Sequence, residues 1–295
     1  MVYDIEHITE YRFNRPVELG LHRLTFRPRD GHDMRVLATQ LVITPTEQRV
    51  DLVHDVYANS VALVQPAPQA ERLQIVCRFT VDHLGAAGFN QPAASESAWM
   101  PPPYSTSERL SLTPFLLPSF DDPNLVLRTW AQPFAEAAEN GGGPRAVVAR
   151  MTEAIRSGFF YNARDAEGVQ TPQQTLYFGS GSCRDFATLM IDALRHLGIA
   201  ARFVSGYLYS PPHAQNGQLA GNVGGGATHA WVQVYLPDCG WFPVDPTNNL
   251  IGGTDLIRLA VAREAAEVSP LSGTWWGAPA DFAGMSVTVN VVARG

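Results

Sequence analysis

The chain has 295 residues, 45% of them hydrophobic, and a formal net charge of −7. That content can bury a sizeable core divided over about two units and excludes disorder as the default state. The acidic balance argues against a nucleic-acid backbone or an anionic membrane surface as partner, since both select a basic face. No run reaches the roughly 18 apolar residues of a membrane span, and the opening MVYDIEHITEYRF alternates polar with apolar residues instead of joining a basic to an apolar segment. A cytoplasmic location is therefore expected. The three cysteines, Cys77, Cys183 and Cys239, are too scattered for a disulfide framework and lack C-x-x-C spacing, so reduced thiols with no metal and no cofactor are expected.

Residues 1–85 read as short alternating strands separated by turns, a β-rich N-terminal domain. In RLQIVCRFTV, Leu73, Ile75, Cys77, Phe79 and Val81 share one strand face, which makes Cys77 a small core residue. His7, on a face with Ile5, Tyr11 and Phe13, reads as a half-buried structural histidine. Residues 86–120, rich in Ala, Pro, Ser and Gly, read as a linker. Helical punctuation begins at 121, with Asp121 or Asp122 as N-cap, Pro123 first, Leu125, Val126 and Trp130 at helical spacing, and Pro133 as a point where the helix can kink. After the Gly141-Gly142-Gly143 break and Pro144, the stripe Val147, Val148, Met151, Ala154 and Ile155 predicts a second helix stopped by Gly158. The following FFYNARDAEGVQTPQQTLYFGS reads as a long surface segment leading to Cys183.

GSGSCRDFATLMIDALRHLG then places Phe186, Leu189, Met190, Ala193, Leu194 and Leu197 on one helical stripe, with Gly198 closing it. The helix therefore starts near Ser182 or Cys183, where free amides and the dipole favour an anion, here a thiolate. Gly179, Ser180, Gly181 and Ser182 leave the approach to the sulfur open. Alone, a cysteine at a helix start is more often structural than catalytic. A nucleophile needs a base oriented by a third group. In ATHAWVQVYLPDCGWFPVDPTNN, HAWVQVYL and GWFPVD read as antiparallel strands, which brings His229, at the start of one, near Asp245, at the end of the other. If Leu236 paired with Trp241 the two side chains would point to opposite faces, so a shared face requires an odd loop or a bulge.

Structural alternatives stand beside each of these. His229 could be a satisfied strand histidine, Asp245 before Pro246 could make an Asx turn, and Trp231 and Trp241 fit hairpin packing. His196 suits the last helical turn, His213 a solvated loop and Cys239 an exposed hairpin thiol. His22, His32, His54 and His83 have no partner pattern. The Gly- and Asn-rich stretch 210–230 reads as either a lid or a disordered loop.

GSCRDFATLMIDALRHLGIAARFVSGYL followed by THAWVQVYLPDCGWFPVDPTNN resembles the core of the bacterial transglutaminase-like family of papain-like cysteine acyltransferases. YDIEHITEYRFNRPVELGLHRLTFRPRD is similar to the β-rich region that precedes that core, and AREAAEVSPLSGTWWG to its closing motif, with Ala262 and Glu264 where Gly and Asp are expected. The resemblance implies an α+β protein: a β-sandwich-like domain (1–85), a linker (86–120) and a core (121–295) with the nucleophile helix packed on an antiparallel sheet. It implies Cys183 as nucleophile, His229 as base and Asp245 as orienter, acting through a thioester on a peptide or protein amide, with transamidation and hydrolysis both open. The Cys183 N–H and a donor from 170–177 would form the oxyanion hole. A peptide-binding protein that keeps the fold without catalysis is the alternative.

Overall fold

A computed structural model describes residues 1–86, 100–139, 142–164, 167–210 and 227–294. In chain order the elements are β1 (Val2–Arg27), β2 (Met34–Thr44), β3 (Arg49–His54), β4 (Ser60–Gln65), β5 (Gln69–His83), α1 (Thr106–Leu116), α2 (Val126–Glu139), α3 (Gly143–Gly158), β6 (Phe160–Tyr161), α4 (Pro172–Phe178), β7 (Ser180–Gly181), α5 (Cys183–His196), β8 (Ala201–Leu208), β9 (Thr228–Leu236), β10 (Gly240–Asp245), β11 (Leu250–Ile251), β12 (Leu256–Ala262), β13 (Leu271–Trp276) and β14 (Phe282–Arg294).

The alternation in the N-terminal sequence becomes one antiparallel sheet of seven strands organised on β1. The first half of β1 pairs with β5 and β14, the second half with β4 and β13, while β2 and β3 lie at the outer edges. Register shifts along β1, with their added twist, let a strand of this length curl, so its two halves share one core containing Tyr3, Ile5, Leu24, Phe26, Val64 and Leu73. The expected sandwich-like domain is thus a single curled sheet. Its last two strands, β13 and β14, come from the far end of the segment assigned to the core, a long-range pairing that local alternation does not reveal.

This sheet packs directly on β8 and β12, since Tyr207, Ile257 and Leu259 join its core. His7 sits in that contact. It is fully buried, not half-buried as expected, with Nδ1 2.7 Å from the Tyr207 hydroxyl and Nε2 2.8 Å from Thr9 Oγ1. Burial pulls its imidazole down to about 4, so it is a neutral structural group. Cys77 is buried as expected, and burial pushes its thiol up to about 12.

The second half of the molecule is a five-stranded antiparallel sheet, ordered β11-β10-β9-β8-β12, with α5 packed on it. The α5 stripe is buried at Phe186, Leu189, Met190, Ala193 and Leu194, against Val232, Val234 and Phe203 from the sheet and Val147, Val148, Met151 and Ile155 from α3. The α3 stripe is as expected, except that Ala154 is only half-buried. Helix α2 starts later than its punctuation suggests: Leu125 N–H donates to Asp122 O and Leu125 takes φ +56°, making a turn, and Asp122 Oδ2 accepts from Arg128 N–H. The stretch 86–120, read as a linker, contains α1, with Ser105 and Glu108 as a capping box. Glu108 and Tyr104 fasten it to the sheet through the Tyr235 hydroxyl, the Tyr235 carbonyl and the Ala200 N–H.

Gly206 of β8 lies opposite His229 of β9. A Cβ there would stand 2.2 Å from the Ile257 carbonyl oxygen and 2.4 Å from the Trp231 ring. Gly206→Ala must push β8 from β12 or displace the indole, and is expected to destabilise the fold by about 2 kcal/mol or more. Chemical denaturation measures this, and an unchanged midpoint would contradict the packing.

Candidate active site

The site is built where the α4–α5 connection meets the β9–β10 hairpin. Sequence reading passed over 159–180 as surface, yet Thr171-Pro172-Gln173-Gln174 is a capping box with Pro at the first helical position, a local signal for α4. Gly179 then turns the chain with φ +60°, and Ser180–Gly181 runs parallel to Phe160–Tyr161. Ser182 is the extended N-cap from which α5 starts at Cys183.

Asp185 fixes that start. Its Oδ2 accepts from Ser182 N–H and Ser182 Oγ, both at 2.8 Å, and its Oδ1 from Gln170 N–H at 2.7 Å and Arg164 Nη1 at 2.6 Å. Burial acts to raise this carboxyl, but Arg164 and the donors from Gln170 and Ser182 outweigh it and hold Asp185 below the ordinary range. The Cys183 side of the first turn is therefore held by a charged group with four donors. Cys183 itself is 8% exposed.

Opposite the thiol, the hairpin register is Gly240 with Leu236 and Val244 with Val232. The loop between the strands is thus Pro237, Asp238 and Cys239, an odd connection, and Asp245 continues onto the face shared by His229 and Trp231. His229 Nε2 lies 2.8 Å from Asp245 Oδ2, both groups fully buried. The Asx turn was also a correct reading of this residue: Asp245 Oδ1 accepts from Thr247 N–H at 2.8 Å, while Asn248 Nδ2 donates to Oδ2 at 2.8 Å. Burial disfavours a charged imidazole at His229, yet the Asp245 carboxylate and then Cys183 raise it well above the ordinary histidine value. Its Nδ1, the nitrogen that Asp245 does not use, is buried with no partner other than the Cys183 thiol. The Trp231 ring stacks on the imidazole at 6.1 Å and is fully buried, so it serves packing. Trp241 packs against Phe115 and carries the Arg202 guanidinium 4.1 Å above its ring.

Tyr161 and Asn248 were missed. Tyr161 pairs with Gly181, and its ring meets Phe186 edge-on at 6.4 Å. Burial, with Cys183 and Asp245 nearby, pushes its phenol up to about 12, so it stays a hydroxyl donor. A lone Tyr in a polar stretch carries no signal of this. Asn248 is one of several polar residues after Pro246. Within 170–177, the Gln170 N–H is engaged by Asp185, the Thr171 and Gln174 N–H groups by each other's side chains and Gln173 Nε2 by the Asp121 carbonyl, while Gln170 Oε1 accepts from Thr175 Oγ1. Of the remaining candidates, His22 bonds the Gly20 carbonyl and His83 the Leu256 carbonyl, His196 lies in the last turn of α5, and Cys239 is half-buried. His213 and most of the stretch 210–230 lie outside the described residues. Among the described residues, no group of three or more His, Cys, Asp and Glu could hold a metal, and no helix is long and apolar enough to cross a membrane.

A cysteine opening a buried helix, beside a His–Asp pair on an antiparallel sheet, defines a papain-like α+β fold. Residues 128–246 match the transglutaminase-like superfamily and residues 3–82 the bacterial transglutaminase-like N-terminal region. The chain carries a transglutaminase-like core preceded by the bacterial transglutaminase-like N-terminal region. It is 28% identical over 284 residues to an uncharacterized protein of Mycobacterium tuberculosis, covering 92% of this chain and 86% of that one. It is 37% identical over 112 residues to the protein-glutamine gamma-glutamyltransferase of Pseudomonas aeruginosa, covering 35% of this chain and 16% of that protein. A candidate cysteine protease of Cytophaga hutchinsonii has the same fold, with a TM-score of 0.69 and 19% identity over all of this chain and 92% of that one.

Proposed function

We propose that the protein is a cysteine-dependent amide acyltransferase or hydrolase, with Cys183 as nucleophile, His229 as its acid–base and Asp245 as the residue that orients His229. The observation that carries this reading is the buried 2.8 Å His229–Asp245 contact, which occupies Nε2 and leaves Nδ1 for Cys183, the next influence on the imidazole. The proton given up by the Cys183 thiol rests on His229 Nδ1, in an imidazolium held by Asp245, and the sulfur attacks as a thiolate the carbonyl carbon of an amide in a peptide or protein. The tetrahedral oxyanion is met by the Cys183 N–H, free at the helix start, and by the Tyr161 hydroxyl. When it collapses the C–N bond breaks, His229 protonates the departing amine, and a thioester to Cys183 remains. An incoming amine completes a transamidation and water a hydrolysis, each giving a proton to His229 and releasing the thiolate. The gamma-glutamyltransferase relative of Pseudomonas aeruginosa favours transfer from a glutamine side-chain amide as the first substrate to try.

The test is selective labelling followed by trapping. With iodoacetamide at neutral pH, Cys183 is expected to react at least about tenfold faster than free cysteine, while Cys77, buried and held as a thiol, stays unlabelled. After incubation with a glutamine-containing peptide library, mass spectrometry of Cys183 should find an acyl adduct that is absent in Cys183→Ala. Ordinary thiol reactivity and no turnover of any amide would sink the reading. Peptide association preserved in Cys183→Ala, with no turnover by the wild type, would favour the binding-protein alternative.

A further inference from the structure

Asp245 holds more than His229. Its Oδ2 accepts from two side chains, His229 Nε2 and Asn248 Nδ2, each at 2.8 Å, and its Oδ1 accepts from the Thr247 N–H at 2.8 Å. Asp245, His229 and Thr247 are buried, whereas Asn248 is half-exposed. The backbone sets Asn248 in this place: Asp245 pairs with Leu250, so residues 246–249 form a short connection, and Asn249 turns it with φ +54°. An ionised carboxylate only accepts hydrogen bonds, so the amide nitrogen is the end of Asn248 that faces it. Burial acts to raise the Asp245 carboxyl, and His229 first, then Asn248 and Thr247, hold it low. These partners differ in kind. The help from His229 depends on the charge of the imidazole, while the amide of Asn248 donates whatever that charge is.

We infer that Asn248 is a positioning residue for the second half of the reaction, in which the thioester is opened: its bond to Asp245 Oδ2 keeps His229 usable as a base at Nδ1 once the imidazole is neutral. The inference rests on the acyl-transfer reading. While the Cys183 thiolate is free, the imidazolium itself compensates the Asp245 charge. Once His229 has given its Nδ1 proton to the departing amine, that compensation is gone, and a buried carboxylate charge without it draws a proton back onto Nδ1, where the base is needed. The other groups that influence the pair, Cys183 from α5 and Tyr161 from β6, carry no charge at this stage, since the sulfur is acylated and the phenol is a hydroxyl. The Thr247 N–H and the Asn248 amide are then what stabilises the carboxylate. With Nδ1 free, an amine or water gives it a proton while its nitrogen or oxygen bonds to the thioester carbon. The C–S bond breaks, and the sulfur leaves as a thiolate beside the imidazolium.

Nitrophenyl acetate separates the two halves. The thiolate displaces nitrophenolate, which needs no proton, so the initial burst reports acylation. In the steady phase His229 yields its proton to solvent and then takes one from water, so that phase reports opening of the acetyl thioester. All rates are taken above those of Cys183→Ala. Asn248→Ala is expected to keep its burst rate within about twofold of the wild type and to slow the steady phase about tenfold, a part of the 10²–10⁴ that a positioned base supplies. The values of kcat and KM then fall together, with kcat/KM unchanged. Asn248→Gln, which keeps an amide donor, should recover part of the steady rate. Asn248→Asp, which keeps the shape but offers only acceptors, should be at least as slow as Asn248→Ala. The side chain is half-exposed, so these variants should melt like the wild type; if Asn248→Ala does not fold, the comparison of Gln with Asp decides. A burst slowed in step with the steady phase, a steady phase that is unchanged, or equal rates for the Gln and Asp variants would reduce Asn248 to a residue of the turn and overturn the inference, while leaving the nucleophile intact. A wild type with no burst above Cys183→Ala removes the acyl-transfer reading and this inference with it.

Discussion

Asp245→Ala is expected to slow thioester formation by about 10²–10³-fold and to lower stability by about 3 kcal/mol. The carboxylate is fully buried and accepts from His229 Nε2, Asn248 Nδ2 and Thr247 N–H. Its loss leaves the buried His229 Nε2 and Thr247 N–H without this acceptor and an imidazole with nothing to aim it. Asp245→Asn keeps the shape and recovers part of the stability, but removes the charge that holds His229 protonated, so the two substitutions separate packing from electrostatics. The pH dependence follows from the same pair. In the wild type His229 is raised, from burial opposed by Asp245 and Cys183, to about 10. Its stabilising contribution is therefore complete below the ordinary imidazole value of roughly 6.5 and is lost as pH climbs toward that folded value. Asp245 is lowered, because His229, Asn248 and Thr247 outweigh its burial, so its contribution holds above roughly pH 4 and is lost in acid. In Asp245→Asn burial is the largest influence remaining on His229, and the alkaline limb of kcat/KM is expected to move to lower pH. A pH–rate profile checks this; an alkaline limb that does not move would show that Asp245 has only a structural role.

Asp185→Ala carries the second large effect, this time mainly on the helix start. It removes the acceptor for Ser182 N–H, Ser182 Oγ, Gln170 N–H and Arg164. Removing one partner of a buried, hydrogen-bonded ion pair typically costs about 3–5 kcal/mol, which for a chain of this size lowers Tm by on the order of 5–10 °C. Because those bonds also hold the segment before Cys183, the iodoacetamide rate at Cys183 should fall as well. Asp185→Asn, which retains an acceptor but no charge, should lie between. Calorimetry with alkylation measured below the transition separates the two effects; a normal Tm with unchanged labelling would refute the role given to Asp185.

Much of the core was legible because its signals are local. The 3.6-residue stripe of α5, its N-cap at Ser182 and the turn at Gly198 are where periodicity puts them. The hairpin strands fall on HAWVQVYL and GWFPVD, and parity alone required the odd connection that the Pro237-Asp238-Cys239 loop supplies. Where signals existed but were outweighed by composition, the reading failed. Ser105 with Glu108 and Thr171 with Gln174 are capping boxes inside stretches that looked like linker and surface. Asp121 or Asp122 reads as an N-cap because Pro123 follows, yet Leu125 goes left-handed and delays α2.

Helix period, strand alternation and turn chemistry, being properties of neighbouring residues, placed Cys183, His229 and Asp245 on their elements and brought His229 toward Asp245, while their roles as a catalytic set rest on the family resemblance. Only the folded chain brings β13 and β14 back to β1 across some 250 residues, seats His7 against Tyr207, and sets Tyr161 and Asn248 beside the thiol and its partners. Those placements depend on register, twist and packing between segments far apart in sequence, for which a single chain has no local periodicity to read. Burial decides the rest: the same histidine type is driven neutral at position 7, where burial stands alone, and held charged at 229, where a carboxylate is buried with it.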